Sequence, residues 1–196
     1  GYYYLIGSSR MARVDPKLIE ALTNKKTHNI KIDGATLTEN TMLAEKVKEK
    51  GSNFIYSFDA FSLNKNRQNF LSSEYKIKIV KDNLDLVKNS DVLIIAVKPQ
   101  IICEVLNGIA DQVDAQKLVI SVAAGVPISQ IEEALRVGKK KKLCVVRTMP
   151  NTPSVVQEGA TAITAAKGVS KSDFKISHEI FQAVGQTVEV PEEQID

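Results

Sequence analysis

Strand-like and helix-like stretches alternate along this sequence, which predicts an α/β fold: a doubly wound, mostly parallel sheet in three layers. Two observations carry that expectation. The runs Asp91 to Val97 (DVLIIAV) and Lys117 to Val122 (KLVISV) are almost wholly apolar, as in parallel strands covered on both faces. Between and after them, apolar residues recur at helical spacing, as in Ile102, Val105, Leu106 and Ile109. A parallel sheet needs such crossovers, and they are expected to be right-handed.

In chain order, Tyr2 to Ile6 is the first strand, followed by Gly7, Ser8, Ser9, Arg10, Met11 and Ala12. In a nucleotide-binding α/β sheet the first strand runs into a glycine-rich turn, which lets a diphosphate approach the next helix. Ser9 stands where a second glycine would be wanted. A competing turn holds Gly34, within NIKIDGAT (Asn29 to Thr36); an amphipathic stretch from Thr38 to Lys50 follows, with Gly51 as its C-cap. The Gly7 turn is preferred and the Gly34 turn is kept as the alternative. Asn53 to Phe58 is the second strand. Asp59 beyond it suits a free ribose 2′-hydroxyl, whereas Ser62, Asn64, Lys65 and Arg67 suit a 2′-phosphate. Each of these residues taken singly reads as part of a solvated loop; together they lean to NADP.

Ile77 to Val80 is a short strand, and Asn83 is the N-cap of a short helix, NLDLVKN. Gln100 to Ala110 is the helix after the DVLIIAV strand. Ser129 and Glu132 form a capping box for SQIEEAL. Lys139 to Lys142 reads as a solvated turn. Thr161 to Ala165 is strand-like. Ser170 with Asp173 opens the last helix, whose Ile176, Ile180 and Val184 face inward, and Thr187 to Val190 is the final strand.

The composition fits a single domain of 196 residues, 43% hydrophobic and without Trp, so the core should rest on Val, Ile, Leu and Ala. The net charge of +3 is mild; it is compatible with a phosphorylated ligand and gives no case for nucleic acid. No apolar run reaches the roughly 18 residues of a membrane span, and GYYYLIG lacks the features of a signal peptide. Cys103 and Cys144 lie in apolar surroundings and read as small buried hydrophobes. With His28 and His178 far apart, they form no recognisable zinc site, and no metal is expected. A reducing compartment is the default, cytoplasmic with the mitochondrion as the alternative.

Three buried strands end in Val97-Lys98-Pro99, Ala123-Ala124-Gly125 and Met149-Pro150-Asn151-Thr152. In a parallel sheet these ends share one edge, where such folds hold ligands. Pro150 and Pro153 stiffen the last exit and hold Asn151 and Thr152 at set directions. The edge would combine small residues, a cation and a polar clamp, a floor for a flat aromatic cofactor. No Ser/His/Asp set, Cys/His set or carboxylate pair stands out, which favours chemistry carried by a cofactor.

These stretches carry a family resemblance. SDVLIIAVKPQ (Ser90 to Gln100), LVISVAAGVPISQIE (Leu118 to Glu132), VVRTMPNTPSVVQEGATAI (Val145 to Ile163) and VGQTVEVPEEQID (Val184 to Asp196) resemble pyrroline-5-carboxylate reductase, the last enzyme of proline synthesis. The resemblance is dense over roughly the last 110 residues and rests above all on MPNTP followed by EGAT. LIGSSRMA is similar to the family's glycine-rich turn, with Ser9 replacing a glycine. The resemblance implies a Rossmann-type domain. It implies that Gly7, Ser8, Arg10, Met11, Asn83, Val97, Lys98, Pro99, Ala123, Ala124 and Gly125 line the nicotinamide cofactor, NADP with NAD as the alternative. It implies that Asn151 and Thr152 lie beside the reaction centre and that Glu192 faces the small-molecule substrate. The implied reaction moves a hydride from NAD(P)H to the carbon of a cyclic C=N bond, giving proline.

The family also has an all-helical domain beyond the point matching Asp196, with the substrate carboxylate site, a catalytic hydroxyl and the dimer interface. The expectation is therefore a dinucleotide-binding domain over residues 1–196, irregular or extended before residue 53. It should fold alone, bind cofactor weakly, show little or no turnover, and belong to a protein that forms homo-oligomers through the helical domain. Two other readings stay open: a non-catalytic NAD(P)-binding module or sensor, and a related reductase using another small acid or a deazaflavin. The MPNTP loop speaks against the last.

Overall fold

The computed structural model of the chain describes residues 2–6, 31–32, 35–36, 53–57, 78–80, 82–138 and 141–196; for the strands up to residue 79 and for residues 155–156 this is the backbone alone. The strands are β1 (Tyr2–Ile6), β2 (Lys31–Ile32), β3 (Ala35–Thr36), β4 (Asn53–Ser57), β5 (Lys78–Ile79), β6 (Val92–Ile95), β7 (Leu118–Ser121), β8 (Cys144–Pro150), β9 (Gly159–Ala165) and β10 (Gly185–Glu189). Four helices are described: α1 (Asn83–Lys88), α2 (Ile102–Ile109), α3 (Ile128–Arg136) and α4 (Lys171–Gln182). Short 3-10 turns occupy Ala110–Gln112, Thr152–Val156 and Glu192–Gln194.

Eight strands form one sheet in the order β5-β4-β1-β6-β7-β8-β9-β10. The pairs from β5 through β8 are all parallel. β9 runs antiparallel to β8, and β10 is parallel to β9. The first six strands have the doubly wound order of dinucleotide-binding folds, in which the winding reverses between β1 and β6. β2 and β3 pair only with each other, as an antiparallel pair outside this sheet. The Gly34 alternative needed a sheet strand there, and its turn and the helix expected from Thr38 to Lys50 lie outside the described residues.

The side-chain alternation of the strands explains the layers. Val92, Ile94, Leu118, Ile120, Cys144 and Val146 face one way and pack with Ile163 and with Ile180 and Phe181 of α4. Leu93, Ile95, Val119 and Val145 face the other way, onto Leu86 and Val87 of α1, Ile102, Leu106 and Ile109 of α2, and Ile131 and Leu135 of α3. Strands buried on both faces are apolar at nearly every position, which is what DVLIIAV and KLVISV show, with Ser121 the buried polar exception. On the expected inward face of α4, Ile180 is buried and Ile176 partly buried; Val184, also buried, lies beyond the end of the helix at Gln182.

Several local expectations are corrected. Asp82, not Asn83, is the N-cap of α1, its carboxylate accepting from the Asp85 N–H at 2.8 Å. Adjacent Asp and Asn are both good caps, so composition could not separate them. Ser129 and Glu132 form no capping box: α3 begins at Ile128 behind Pro127, without a side-chain cap from its own neighbours. Glu132 pairs with Arg136 at 2.9 Å instead. Cys103 is half-buried and accepts from Gln130 Nε2 at 3.3 Å, while Cys144 is buried as expected. Lys141 is not simply solvated, since its Nζ donates to the Val113 carbonyl at 3.1 Å. Ser170 does cap α4, accepting from the Asp173 N–H at 3.1 Å.

Burial pushes the Cys144 thiol above its ordinary pKa, and the nearby Asp173 carboxylate adds to the effect. At pH 8 iodoacetamide should therefore alkylate Cys103 well before Cys144, with peptide mapping as the readout. Gly159 and Gly108 make a contrasting pair. A Cβ at Gly159 would collide with Ser154 Oγ and come within 2.8 Å of Ser154 Cα and the Val184 carbonyl, whereas one at Gly108 meets nothing within 4 Å. Urea melts should show Gly159→Ala destabilising by about 1–3 kcal/mol. Gly108→Ala, in α2, should stabilise by about 0.4–1 kcal/mol.

Candidate functional site

The pairing register puts one residue of each parallel strand on a common level: Ser57, Ile6, Ile95, Ser121 and Arg147 are successive partners across the sheet. The chain leaves β1, β6 and β7 just beyond that row, all at the same edge. Val97 and Ala123 lie two residues past it, level with Met149 of β8. Lys98, Pro99, Ala124 and Gly125 are exposed, whereas the side chains of Val97 and Ala123 are buried in the core beneath α1, α2 and α3. Of those two, only the backbone faces the edge. Gly7, Ser8, Arg10 and Met11 lie outside the described residues, but β1, which ends at Ile6, stands at the reversal point next to β6. Asn83 is half-exposed at the start of α1, which follows β5, the outermost strand on that side.

The exit of β7 is held from three sides. Buried Ser121 accepts from the Ala123 N–H at 3.2 Å, and Thr148 Oγ1 donates to the Ser121 carbonyl at 3.0 Å. The Gly125 N–H donates to Asp196 Oδ1 at 3.0 Å. Gly125 has φ 68°, a conformation that a Cβ would strain, and among the described residues no heavy atom outside its chain neighbours lies within 4 Å of where a Cβ would stand. The edge above Ala124 and Gly125 is therefore small, exposed and open.

β8 runs further than its neighbours because its last residues pair with β9, Pro150 opposite Thr161. The 3-10 turn Thr152–Val156 then begins behind Asn151, with Pro153 in its first turn. Asn151 is exposed, and its Oδ1 accepts from the Ala160 N–H at 2.9 Å. The Ser154 and Glu158 N–H groups bind the Asn151 and Pro153 carbonyls at 3.1 Å each. The loop is thus cross-tied to β9, and the Nδ2 amide is the end of Asn151 that this bond does not engage. Thr152 is exposed beside it.

Arg147 was not among the residues singled out from sequence. It is 3% exposed, and its guanidinium is paired with Asp196 through Nη2 and lies 3.9 Å from Glu192 Oε1 through Nη1. Glu192 Oε1 also accepts from the Ile128 N–H at 2.5 Å, so the acid expected to face substrate is engaged by the start of α3. The hydrogen bond from Arg147, then that from the Gly125 N–H, hold the Asp196 carboxyl below the usual carboxylate range. The sequence signal for this cluster was an Arg inside a largely apolar strand.

Among the described residues no helix is long and apolar enough to cross a membrane, and no group of His, Cys, Asp or Glu could hold a metal ion.

Comparisons with known proteins bear on the family and the fold. Pyrroline-5-carboxylate reductase of Methanosarcina acetivorans is 44% identical over 126 residues, covering 64% of this chain and 45% of the relative. Human pyrroline-5-carboxylate reductase 2 is 40% identical over 120 residues, covering 61% and 37%. The chain thus spans less than half the length of these relatives. The solved pyrroline-5-carboxylate reductase of Coxiella burnetii superposes with a TM-score of 0.71 at 26% identity, over 98% of this chain and 60% of that one. The NADP-bound Plasmodium falciparum enzyme shares the fold, with a TM-score of 0.64 at 22% identity, over 98% and 59%. The model of a family described as "NADP oxidoreductase coenzyme F420-dependent" matches residues 5–125. As that match spans more than half of the sequence and begins in β1, the chain belongs to this family.

Proposed function

We propose that the chain is the dinucleotide-binding domain of a pyrroline-5-carboxylate reductase, which reduces the C=N bond of 1-pyrroline-5-carboxylate to give L-proline. The observation that carries the reading is the common edge on which β6, β7 and β8 end, next to the reversal point at β1. The relatives' names supply the substrate, and the NADP of the Plasmodium structure supplies the cofactor.

The residues present fit that cofactor. Ala124 is small and exposed, and the described residues leave open space beside Gly125, so a flat ring can approach the backbone. Bound NADPH would supply the hydride. On this reading the turn from Gly7 through Ser8 to Arg10 and Met11 meets the diphosphate, and Lys65 and Arg67 favour the 2′-phosphate. Asn83 is assigned to the adenosine side. Lys98 offers a cation and Pro99 a rigid wall. Val97 and Ala123 contribute backbone only. Asn151 Nδ2 and the Thr152 hydroxyl orient the imine and nicotinamide within reaction distance. Glu192 is assigned to the substrate side. Substrate carboxylate binding and homo-oligomer contacts are assigned to the helical domain implied by the resemblance. Two free cysteines fit a reducing compartment such as the cytoplasm.

A second reading, a non-catalytic NAD(P)-binding sensor, is favoured by one feature: Ser9 adds a Cβ where the diphosphate approaches. Titration and turnover separate the two. Fluorescence titration of these 196 residues should show NADPH binding more tightly than NADH, with the difference shrinking as salt rises. The longest reading frame that carries the sequence should oxidise NADPH on addition of pyrroline-5-carboxylate. Asn151→Ala should lower that rate on the order of 10- to 100-fold with the melting temperature retained. NADPH binding without turnover in the long form would favour the sensor; an unchanged Asn151→Ala rate would remove Asn151 from the site.

A further inference from the structure

We propose that Arg147 is a positioning residue for this site: through Asp196 and Glu192 it holds the Gly125 turn and the start of α3 in one fixed arrangement against β8. The inference rests on reading Ala123 to Gly125 as the cofactor floor. Arg147 sits in a strand covered on both faces, between Ser121 of β7 and Thr164 of β9. A guanidinium there loses its water, and such a buried pair seldom adds net stability over an apolar side chain of the same size. Its use is better sought in geometry, because a planar fork of donors fixes the direction of its partners.

The connections bear this out. Asp196 Oδ1 accepts from both Arg147 Nη2 and the Gly125 N–H. Glu192 Oε1 accepts from the Ile128 N–H and lies 3.9 Å from Arg147 Nη1. Two backbone amides, three residues apart at the exit of β7, are therefore oriented by two carboxylates, and both carboxylates converge on one guanidinium. α3 has no side-chain cap from its own sequence, so Glu192 supplies the acceptor from 64 residues away. Ile195, 3% exposed, anchors the turn that carries both acids. A lysine at 147 presents a single ammonium and would not span both carboxylates in the same way.

The test compares Arg147→Met, Arg147→Lys and Asp196→Asn by the amide resonances of Gly125 and Ile128 and by the NADP+ dissociation constant. In Arg147→Met and Asp196→Asn the Gly125 amide should move upfield, and NADP+ affinity should fall about tenfold. The double variant should lose no more than the worse single one. Arg147→Lys should recover part of the Gly125 shift but not that of Ile128. Unmoved resonances with unchanged affinity would overturn the inference, as would losses that simply add. Should Arg147→Met fail to fold, Asp196→Asn carries the same test, since the Asp196 side chain is 53% exposed. Failure of the unsubstituted chain to bind NADP+ would count against the dinucleotide reading and is distinct from failure here, which shows in the amide resonances.

Discussion

Parallel pairing in register is the constraint from which the site follows. Ile95 opposite Ser121, and Ser121 opposite Arg147, fix β6, β7 and β8 so that their exits cannot slide past one another. A shift by one residue would turn Leu93, Ile95, Val119 and Val145 from the helical layer of α1, α2 and α3 towards α4. Both layers are closely filled, so that shift is costly in either direction. The level at which Lys98, Gly125 and the Pro150 loop emerge is therefore set by core packing, not by the loops themselves.

The exits differ in how they are held. After β6 the chain turns at once towards α2, the Ile101 N–H reaching the Lys98 carbonyl at 3.1 Å. β7 ends in small residues with a positive φ at Gly125, pinned by carboxylates that belong to the other end of the chain. β8 is prolonged by antiparallel pairing to β9, and two prolines and the Asn151–Ala160 bond stiffen its end. One edge thus joins an exposed lysine, an open backbone floor and a rigid polar loop, a combination that suits orientation of two ligands more than proton transfer by side chains.

How much of this was legible in the sequence depended on how far apart the partners are. DVLIIAV and KLVISV declared themselves as buried strands because a strand covered on both faces is apolar at nearly every position. MPNTP was legible as a rigid loop because proline acts on its immediate neighbours. The local cap of α4 was readable as well, with Ser170 and Asp173 three residues apart. Apart from the cap of α1, where adjacent Asp82 and Asn83 suit the role equally, what failed was non-local. The start of α3 looked like a capping box, but Glu192 reaches it from 64 residues downstream and Ser129 falls inside the helix. Arg147 drew no attention because Asp196, 49 residues away, gives it meaning. The reversal to antiparallel at β9 was equally hidden, since a strand's direction leaves no mark on its own composition.

The central claim is that the edge shared by Lys98, Gly125 and Asn151 receives the nicotinamide. A crystal structure of the chain grown with NADP+ tests it most directly. The nicotinamide ring should lie over Ala124 and Gly125, with Asn151 at its rim and the diphosphate at the turn after β1. A dinucleotide bound elsewhere, or a ring turned away from the ends of β6, β7 and β8, would contradict it.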